Sequence, residues 1–184
     1  MVTALSIGLS REEARVRACR LKLVLSDCDG VLTDTGVYYS DSGEALRRFS
    51  VRDGMGVERL REAGIATGIL SRERSRVLER RAEKLGLPYL FLGVMDKARH
   101  LNTIQRETGL GPDNLAYIGD DVNDLGIISL VGVAGLTAAP ADAFEDVVSE
   151  VHYRCAFPGG HGAFRDFAEW ILALRRPFHR KEEP

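Results

Sequence analysis

Short apolar segments alternate with amphipathic segments along most of the chain, and this alternation limits the possible folds more than any other feature of the sequence. The pattern predicts strands over residues 21–26, 65–70, 89–92, 115–118 and 131–134. Helices are expected over residues 10–19, 54–63, 73–85, 96–108, 122–129, 141–147 and 161–174. Alternating strands and helices favour a parallel sheet with helices on both faces. We therefore predict an α/β fold with a doubly wound parallel sheet.

The segment after the first predicted strand has a different pattern. Two extended stretches, residues 36–39 and 45–49, flank Ser-Asp-Ser-Gly at 40–43, which is typical of a β-hairpin. The hairpin is expected as an insertion after the first strand.

The length of 184 residues fits one domain with a full core. We expect an N-terminal extension with a short helix over residues 1–20, a main domain over 21–175 and a frayed tail over 176–184.

Composition excludes several classes of protein. The net charge is only −2, so no overall charge favours binding to nucleic acid or to an anionic membrane surface. No apolar stretch approaches the roughly 18 residues that a membrane span needs. The three cysteines are far apart and include no CxxC motif, which favours a reducing compartment. We therefore expect a cytoplasmic protein without nucleic-acid or membrane partners.

Two acidic clusters follow predicted strands. Asp27-Cys28-Asp29-Gly30 comes after the first strand, and Gly119-Asp120-Asp121-Val122-Asn123-Asp124 comes after the fourth. Each cluster alone could be a turn or a helix cap. In an open parallel sheet, however, the carboxyl ends of the strands form one rim, where ligands bind. Carboxylates gathered there repel unless a cation neutralises them, and oxygen ligands favour Mg²⁺. The sequence thus predicts a magnesium site.

Four motifs in this order and spacing resemble those of haloacid dehalogenase-type phosphatases. They are Asp27-x-Asp29-Gly-Val-Leu-Thr33, Ser71, Lys97 and Gly119-Asp120-Asp121-x-x-Asp124. The resemblance extends over residues 21–174. It implies that Asp27 attacks phosphorus and forms an aspartyl-phosphate, and that Asp29 protonates the leaving alcohol and then activates water. It also implies that Ser71 and Lys97 hold the phosphoryl oxygens.

The same resemblance implies a ligand set for Mg²⁺. The ligands would be the carboxylates of Asp27 and Asp120 and the main-chain carbonyl of Asp29, with Asp121 and Asp124 supporting the metal from nearby or through water. This arrangement suits phosphoryl transfer, which needs an in-line nucleophile and positive charge around the transferred oxygens.

Larger members of this superfamily cover the site with an inserted cap. Between Asp29 and Ser71 there is room only for a hairpin, a helix and a strand, and between Ser71 and Lys97 only for one helix and one strand. We therefore predict a capless enzyme. A neighbouring subunit is the simplest wall for such an open site.

Within the capless branch, two further motifs resemble 3-deoxy-octulosonate 8-phosphate phosphatases and their relatives that act on nine-carbon 2-keto-3-deoxy sugar acids. The motifs are residues 50–54 and the glycine-rich residues 159–165. Those families are homotetramers in which hairpins assemble and a C-terminal segment reaches a neighbour's site. The expected substrate contacts are Ser50, Val51, Arg52, Asp53, Gly54, Arg72, Glu73, Arg81, Lys84, His161 and Arg165.

The sequence carries opposing signals about the substrate. Glu73 stands where the octulosonate branch has arginine, and together with Lys84 it matches the nine-carbon branch. Arg52 and Asp53 match the octulosonate branch instead. The nine-carbon acid is our first expectation and the eight-carbon acid our second. Arg52, Arg72, Arg81 and Lys84 are candidates to bind the substrate carboxylate, although the last three could equally form a solvated basic face.

Other functions remain as alternatives. The chain could be a general phosphatase of small sugar phosphates, or a regulatory binding module without catalysis on the same fold. A receiver domain would need an acidic acceptor on its third strand, and no acid stands at residues 90–94. The sequence contains neither the GxxxxGK[ST] nor the GxGxxG motif, so nucleotide-binding functions of those classes are not indicated.

Overall fold

A computed structural model describes residues 8–176 of the chain. Its α-helices are α1 (Arg11–Arg20), α2 (Val51–Glu62), α3 (Arg76–Leu85), α4 (Lys97–Thr108), α5 (Leu125–Gly132), α6 (Glu145–Val148) and α7 (Ala163–Arg175). Its strands are β1 (Leu23–Ser26), β2 (Thr33–Ser40), β3 (Gly43–Phe49), β4 (Ala66–Ser71), β5 (Tyr89–Leu92), β6 (Leu115–Ile118), β7 (Leu136–Ala139) and β8 (Tyr153–Arg154). Two short 3₁₀ helices span Pro112–Asn114 and Val122–Asp124.

Six strands form one parallel sheet in the order β5-β4-β1-β6-β7-β8. Strand β1 lies in the centre, with Ser26 paired to Ile69 of β4 and to Ile118 of β6. All four residues of β1 are buried, because helices cover both faces of the sheet. The predicted doubly wound α/β fold is confirmed. The central position of β1 places the residues that follow it in the middle of the rim.

One hydrophobic core lies on each face of the sheet. The first contains buried side chains of α1, α2, α3 and α7, such as Leu60, Leu78 and Phe167. The second contains side chains of α4 and α5, such as Ile104 and Ile128. None of the helices in residues 8–176 is long and apolar enough to cross a membrane.

Strands β2 and β3 form the predicted hairpin, an antiparallel two-stranded sheet separate from the main one. Tyr38 lies opposite Leu46, and both side chains are largely exposed. An isolated hairpin is marginally stable in water, so contacts between this hairpin and the body of the protein are needed to hold it in place.

The prediction of a strand over residues 131–134 is wrong. Helix α5 continues to Gly132, with Ile127, Ile128 and Val131 buried on one face, and the strand is β7, at Leu136–Ala139. The apolar run through both elements has no periodicity that divides it, which explains the misplacement. Helix α6 is also shorter than expected, and strand β8 had not been predicted.

Helix α1 begins with the expected capping box, in which Ser10 and Glu13 bond each other's backbone. Its buried Ala14 and Ala18 join the first core, and the helix packs against α7. The N-terminal helix therefore contributes to the core of the main domain. Residues 1–7 and 177–184, with nearly all of the expected tail, lie outside the described residues.

The buried side chain of His152 makes the free energy of unfolding depend on pH. Its ring is buried, and its Nδ1 accepts a hydrogen bond from the Thr137 backbone N–H. Burial, with a smaller effect from Arg17, lowers the pKa of His152 to about 4. As the pH falls, the unfolded chain therefore binds a proton at His152 near pH 6.5, whereas the folded chain binds it only near pH 4. Stability from neutral His152 is present above pH 6.5 and is lost as pH falls through this window.

We expect wild type to lose about 1–2 kcal/mol of unfolding free energy between pH 7 and pH 5 relative to His152→Gln. The difference between the two proteins isolates this residue from the other titrating groups. Urea unfolding at a series of pH values measures it, and a difference that does not change with pH would contradict the assignment.

Candidate active site

The expected rim contains a pocket of about 210 Å³ at the carboxyl ends of the central strands. The pocket is lined by residues at the ends of β1, β4 and β6 and by one residue of β2: Asp27, Asp29, Thr35, Ser71, Arg72, Glu73, Asp120, Asp121 and Asn123. The two acidic clusters meet because β1 and β6 are neighbours, and the Asp27 N–H continues their ladder by donating to Ile118 O at 2.9 Å.

A buried lysine links the two clusters. Lys97, the first residue of α4, is only 2% exposed. Its Nζ lies 3.0 Å from Asp27 Oδ1 and 2.6 Å from Asp124 Oδ1. Burial disfavours the charged lysine, but the two carboxylates outweigh that effect and raise its pKa above 10.5. Lys97 therefore stays charged beneath the pocket floor.

Asp124 organises the second acidic loop. It is fully buried, and Oδ1 also accepts from the Tyr117 hydroxyl at 2.5 Å. Oδ2 accepts from the backbone N–H groups of Asp120 and Asp121. The side chain of Asp121 is used locally, since it accepts from Val122 N at 2.6 Å. Asp124 thus fixes the loop that presents Asp120.

Asp120 has the environment expected of a metal ligand. Its Oδ1 is buried and has no hydrogen-bond partner within residues 8–176. One carboxylate oxygen each of Asp27, Asp120 and Asp124 lies within 4.8 Å of the others. Burial, followed by repulsion from Asp124, raises the pKa of Asp27 to about 7, and burial with repulsion from Asp27 raises that of Asp120 to about 8.

These carboxylates fit a hard divalent cation. An unpaired buried oxygen and raised pKa values show that the acids lack compensating positive charge, despite Lys97. The donors are all oxygen, and few protein ligands converge, which suits Mg²⁺ because this ion keeps several waters. The cluster includes Asp27 and Asp120 of the expected ligand set, together with Asp124; the carboxylate of Asp121 is outside it.

Two glycines permit this close approach. Gly30 has a φ of 86°, and a Cβ built there would lie 1.9 Å from Asp120 Oδ2. A Cβ at Gly159 would lie 1.9 Å from the Gly30 carbonyl oxygen. A side chain at either position would therefore push the second acidic cluster or the C-terminal loop away from Asp27.

Ser71 ends β4 and is buried at the pocket edge, where its Oγ accepts from Glu73 N at 3.1 Å. Arg72 and Glu73 follow it in the pocket lining. The four residues predicted to be catalytic are therefore brought together, with Asp27, Asp29 and Ser71 lining the pocket and Lys97 beneath it.

The segment at residues 50–54 forms the first turn of α2 and lies beside the pocket. Ser50 caps the helix, and Val51 and Arg52 are exposed. With Ser50 and His161, they line a second cavity of about 820 Å³. The Asp53 carboxylate is buried and accepts from the N–H groups of Gly162 and Arg165 at the start of α7.

Of the predicted substrate contacts, Arg72 and Glu73 line the acidic pocket of the described chain, and the others, including residues 50–54, do not. Arg81 donates to Ser50 O at 2.9 Å and lies against Gly54, while Lys84 is exposed in the last turn of α3. His161 lies 2.8 Å from Arg48 Nη2, and Arg165 pairs with Glu169.

The glycine-rich stretch that these last two residues belong to is packed on its own chain. Gly160 N donates to Val31 O at 2.9 Å, and Gly162 N donates to Asp53. Its backbone therefore completes the wall behind Gly30.

Four residues at or near the pocket were missed by sequence reasoning: Thr35, Arg47, Tyr117 and Asn123. Thr35 is held at a φ of 64°, a conformation that β-branched residues rarely adopt. Arg47 reaches from β3 to the carboxylate of Asp29. Tyr117 sits in an apolar strand with no local signal of its polar role. Asn123 follows two acids in a motif and could have been noted.

No family model matches the chain. The 3-deoxy-D-manno-octulosonate 8-phosphate phosphatase of Haemophilus influenzae is 38% identical over 152 residues, which covers 83% of each chain. The cobalt-bound structure of that species' phosphatase has a TM-score of 0.81 and 36% identity, covering 86% of this chain and 91% of the other.

A relative from another species was solved with ligands. The corresponding phosphatase of Moraxella catarrhalis, in complex with magnesium, phosphate and 3-deoxy-D-manno-octulosonate, has a TM-score of 0.82 and 31% identity. The match covers 89% of this chain and 92% of that one.

Proposed function

Because the chain belongs to the 3-deoxy-D-manno-octulosonate 8-phosphate phosphatases of the haloacid dehalogenase superfamily, we propose that it removes phosphate from this eight-carbon sugar acid. The protein is a magnesium-dependent phosphoric monoester hydrolase. The observation that supports the substrate assignment most is the single pocket that gathers Asp27, Asp29, Ser71 and Asp120 in a chain this similar to those enzymes.

The eight-carbon acid replaces the nine-carbon acid as the favoured substrate. Of the two residues that pointed to nine carbons, Glu73 lines the pocket, but Lys84 is exposed near the C-terminal end of α3 and lies outside its lining. The relatives described above act on the octulosonate phosphate by name. Arg72 is the basic residue in the pocket lining, and we assign it to the substrate carboxylate.

Asp27 is the proposed nucleophile. Its Oδ1 is held by Cys28 N at 2.7 Å and by Lys97 at 3.0 Å, which leaves Oδ2 as the available oxygen. A bond forms between Oδ2 and phosphorus while the ester P–O bond breaks, and the aspartyl-phosphate results. Asp29 gives its proton to the departing alkoxide.

The second step reverses these roles. Asp29 takes a proton from a water molecule as the water oxygen bonds to phosphorus, and the Asp27–phosphorus bond breaks to release phosphate. Ser71 and Lys97 hold the phosphoryl oxygens through both steps. When bound by Asp27 and Asp120, with the Asp29 carbonyl and with Asp121 and Asp124 nearby, magnesium supplies further positive charge to the transferred group.

We also propose a homotetramer in the cytoplasm. The hairpin exposes three large apolar residues, Tyr38, Tyr39 and Leu46, which are 63%, 76% and 65% accessible. Apolar side chains grouped on a projecting element favour burial against another subunit. Such packing would also supply a wall for the capless pocket and for the adjacent cavity near His161. Sedimentation of the purified protein tests the assembly.

The two alternative functions are less well supported. A binding module without catalysis would not require an intact set of acids, and Asp27, Asp29, Asp120 and Asp124 are all present in or beside one pocket. A general sugar phosphatase would not be expected to share 38% identity with an enzyme of defined substrate. Rates measured on several phosphate esters separate these functions.

The metal gives a direct test of the proposal. Exhaustive chelation is expected to abolish phosphate release from octulosonate 8-phosphate, and Mg²⁺ should restore it, because the clustered carboxylates need a cation. Ca²⁺ should bind but support little turnover, since its looser coordination misplaces the reacting groups. The nine-carbon phosphate and p-nitrophenyl phosphate serve as comparison substrates.

Full activity in the chelated protein would contradict the magnesium site. Faster turnover of the nine-carbon ester would overturn the choice of substrate while leaving the phosphatase assignment intact.

A further inference from the structure

The hairpin carries a buried arginine that reaches into the site. Arg47 lies on β3 opposite Val37, and its side chain is only 3% exposed, whereas the neighbouring Leu46 is 65% exposed. Nη1 of Arg47 contacts Oδ1 of Asp29. A guanidinium buried to this extent needs anionic partners, so its position is set by the carboxylates around it.

The contacts of Asp29 are unequal between its two oxygens. Oδ1 accepts from Arg47 and from the Thr33 hydroxyl at 3.3 Å. Oδ2 has no hydrogen-bond partner within the described residues, and Asp29 lines the pocket. The arginine thus occupies one oxygen and leaves the other for proton transfer.

A second acid connects the arginine to the start of α3. Glu44 binds Arg47 through two contacts, at 3.1 Å to Nε and 3.0 Å to Nη2. Glu44 Oε1 also accepts from the Ser75 hydroxyl at 2.5 Å. Ser75 caps α3 at the end of the loop that begins with Ser71. The contacts therefore connect the Asp29 loop, the hairpin and the Ser71 loop in one continuous chain.

We infer that Arg47 is a positioning residue for the proposed phosphatase reaction, which holds the Asp29 carboxylate so that Oδ2 faces the ester oxygen. The inference rests on the proposed function. In the first step the proton leaves Oδ2 for the departing oxygen as the P–O bond breaks, and in the second step Oδ2 regains a proton from water. Because Arg47 belongs to the hairpin, this element contributes to catalysis within its own chain.

Leaving groups of different basicity test this role. A p-nitrophenolate leaves without needing a proton, whereas an alkoxide must be protonated as it departs. Two esters of similar size, p-nitrophenyl phosphate and p-nitrobenzyl phosphate, differ in this respect. For each ester, kcat/KM covers the steps from free enzyme and ester to the aspartyl-phosphate. The ratio of kcat/KM for the benzyl ester to that for the phenyl ester therefore reports how much protonation of the leaving group contributes, and octulosonate 8-phosphate is measured beside them.

Arg47→Met is expected to lower kcat/KM for p-nitrobenzyl phosphate and the sugar ester about 100-fold, with most of the change in kcat. The value for p-nitrophenyl phosphate should stay within about 3-fold of wild type. Arg47→Lys, which keeps the charge, should recover most of the loss. Arg59→Met is the matched control, because Arg59 pairs with Glu169 away from the pocket, and it should leave the ratio unchanged.

The outcomes separate this inference from the proposed function. If Arg47→Met lowers kcat/KM equally for p-nitrophenyl phosphate and p-nitrobenzyl phosphate, or for neither, the role of Arg47 is overturned while wild type remains a phosphatase. A wild-type protein that hydrolyses no ester with Mg²⁺ would contradict the proposed function and the inference with it. If Arg47→Met does not fold, Glu44→Gln is measured instead. A loss of about 5-fold in kcat/KM for the alkyl esters, without a loss for p-nitrophenyl phosphate, supports the inference. An unchanged ratio of kcat/KM between the two kinds of ester overturns it.

Discussion

Asp27→Asn is expected to reduce turnover of octulosonate 8-phosphate by about 10⁴- to 10⁶-fold, because the amide cannot form the bond to phosphorus. The substitution keeps the size of the side chain, and the amide oxygen can still accept from Cys28 N and Lys97. The fold should therefore survive. Phosphate release under single-turnover and steady-state conditions measures the loss.

The stability of the same variant provides a control. Burial, followed by repulsion from Asp124, raises the pKa of Asp27 to about 7, so the cost of its charge to folding grows between about pH 4 and pH 7 and is present in full above pH 7. At pH 8 without metal, Asp27→Asn should unfold at the same temperature as wild type or at a higher one. Added Mg²⁺ should stabilise wild type more than the variant, because Asp27 is a proposed ligand.

An Asp27→Asn protein with more than a few per cent of the wild-type rate would exclude covalent catalysis by this residue. A variant that unfolds well below wild type would instead show that the loss of activity comes from the fold.

Lys97→Met is expected to have the second largest effect, because it removes the cation between Asp27 and Asp124. Two buried carboxylates are then left without their partner, which costs about 3–5 kcal/mol of stability. Activity should fall about 10³-fold, since the phosphoryl oxygens lose a fixed positive charge. Thermal unfolding and phosphate release measure the two effects separately.

A double variant distinguishes the structural role from the catalytic one. In Lys97→Met/Asp124→Asn one uncompensated charge is removed. The single amide oxygen of the asparagine can accept either from the Tyr117 hydroxyl or from the Asp120 N–H, which bond different oxygens of Asp124 in the wild type, so the recovery is only partial. This protein should recover part of the lost stability and none of the lost rate. Recovery of activity together with stability would contradict direct action of Lys97 on the substrate.

Local sequence signals predicted the sheet and the position of its rim. The acids at 27, 29 and 120 follow short apolar strands, and the rule that parallel strands end on one side brings them together. The same local reasoning failed at residues 131–134, where an apolar helix and an apolar strand are joined without a periodic break. Pattern alone does not separate these two elements.

The parts of the site that escaped prediction depend on contacts between distant segments. Arg47 looks like an ordinary polar residue of a hairpin until β3 is placed beside Asp29. Asp53 stands in a motif associated with substrate, yet its carboxylate binds the first turn of α7. Tyr117 belongs to a buried strand, and only the fold shows that its hydroxyl meets Asp124.

The contact between Gly159 and Gly30 has a consequence for biosynthesis. The two glycines come from opposite ends of the chain, and the loop around Gly159 forms the support behind the Gly30–Asp120 approach. Contacts between distant segments form late, because the intervening chain must first be made and ordered. A chain still attached to the ribosome has the acids of the first cluster from an early stage. It should nevertheless gain a well-formed cation site only after the C-terminal loop has emerged and docked.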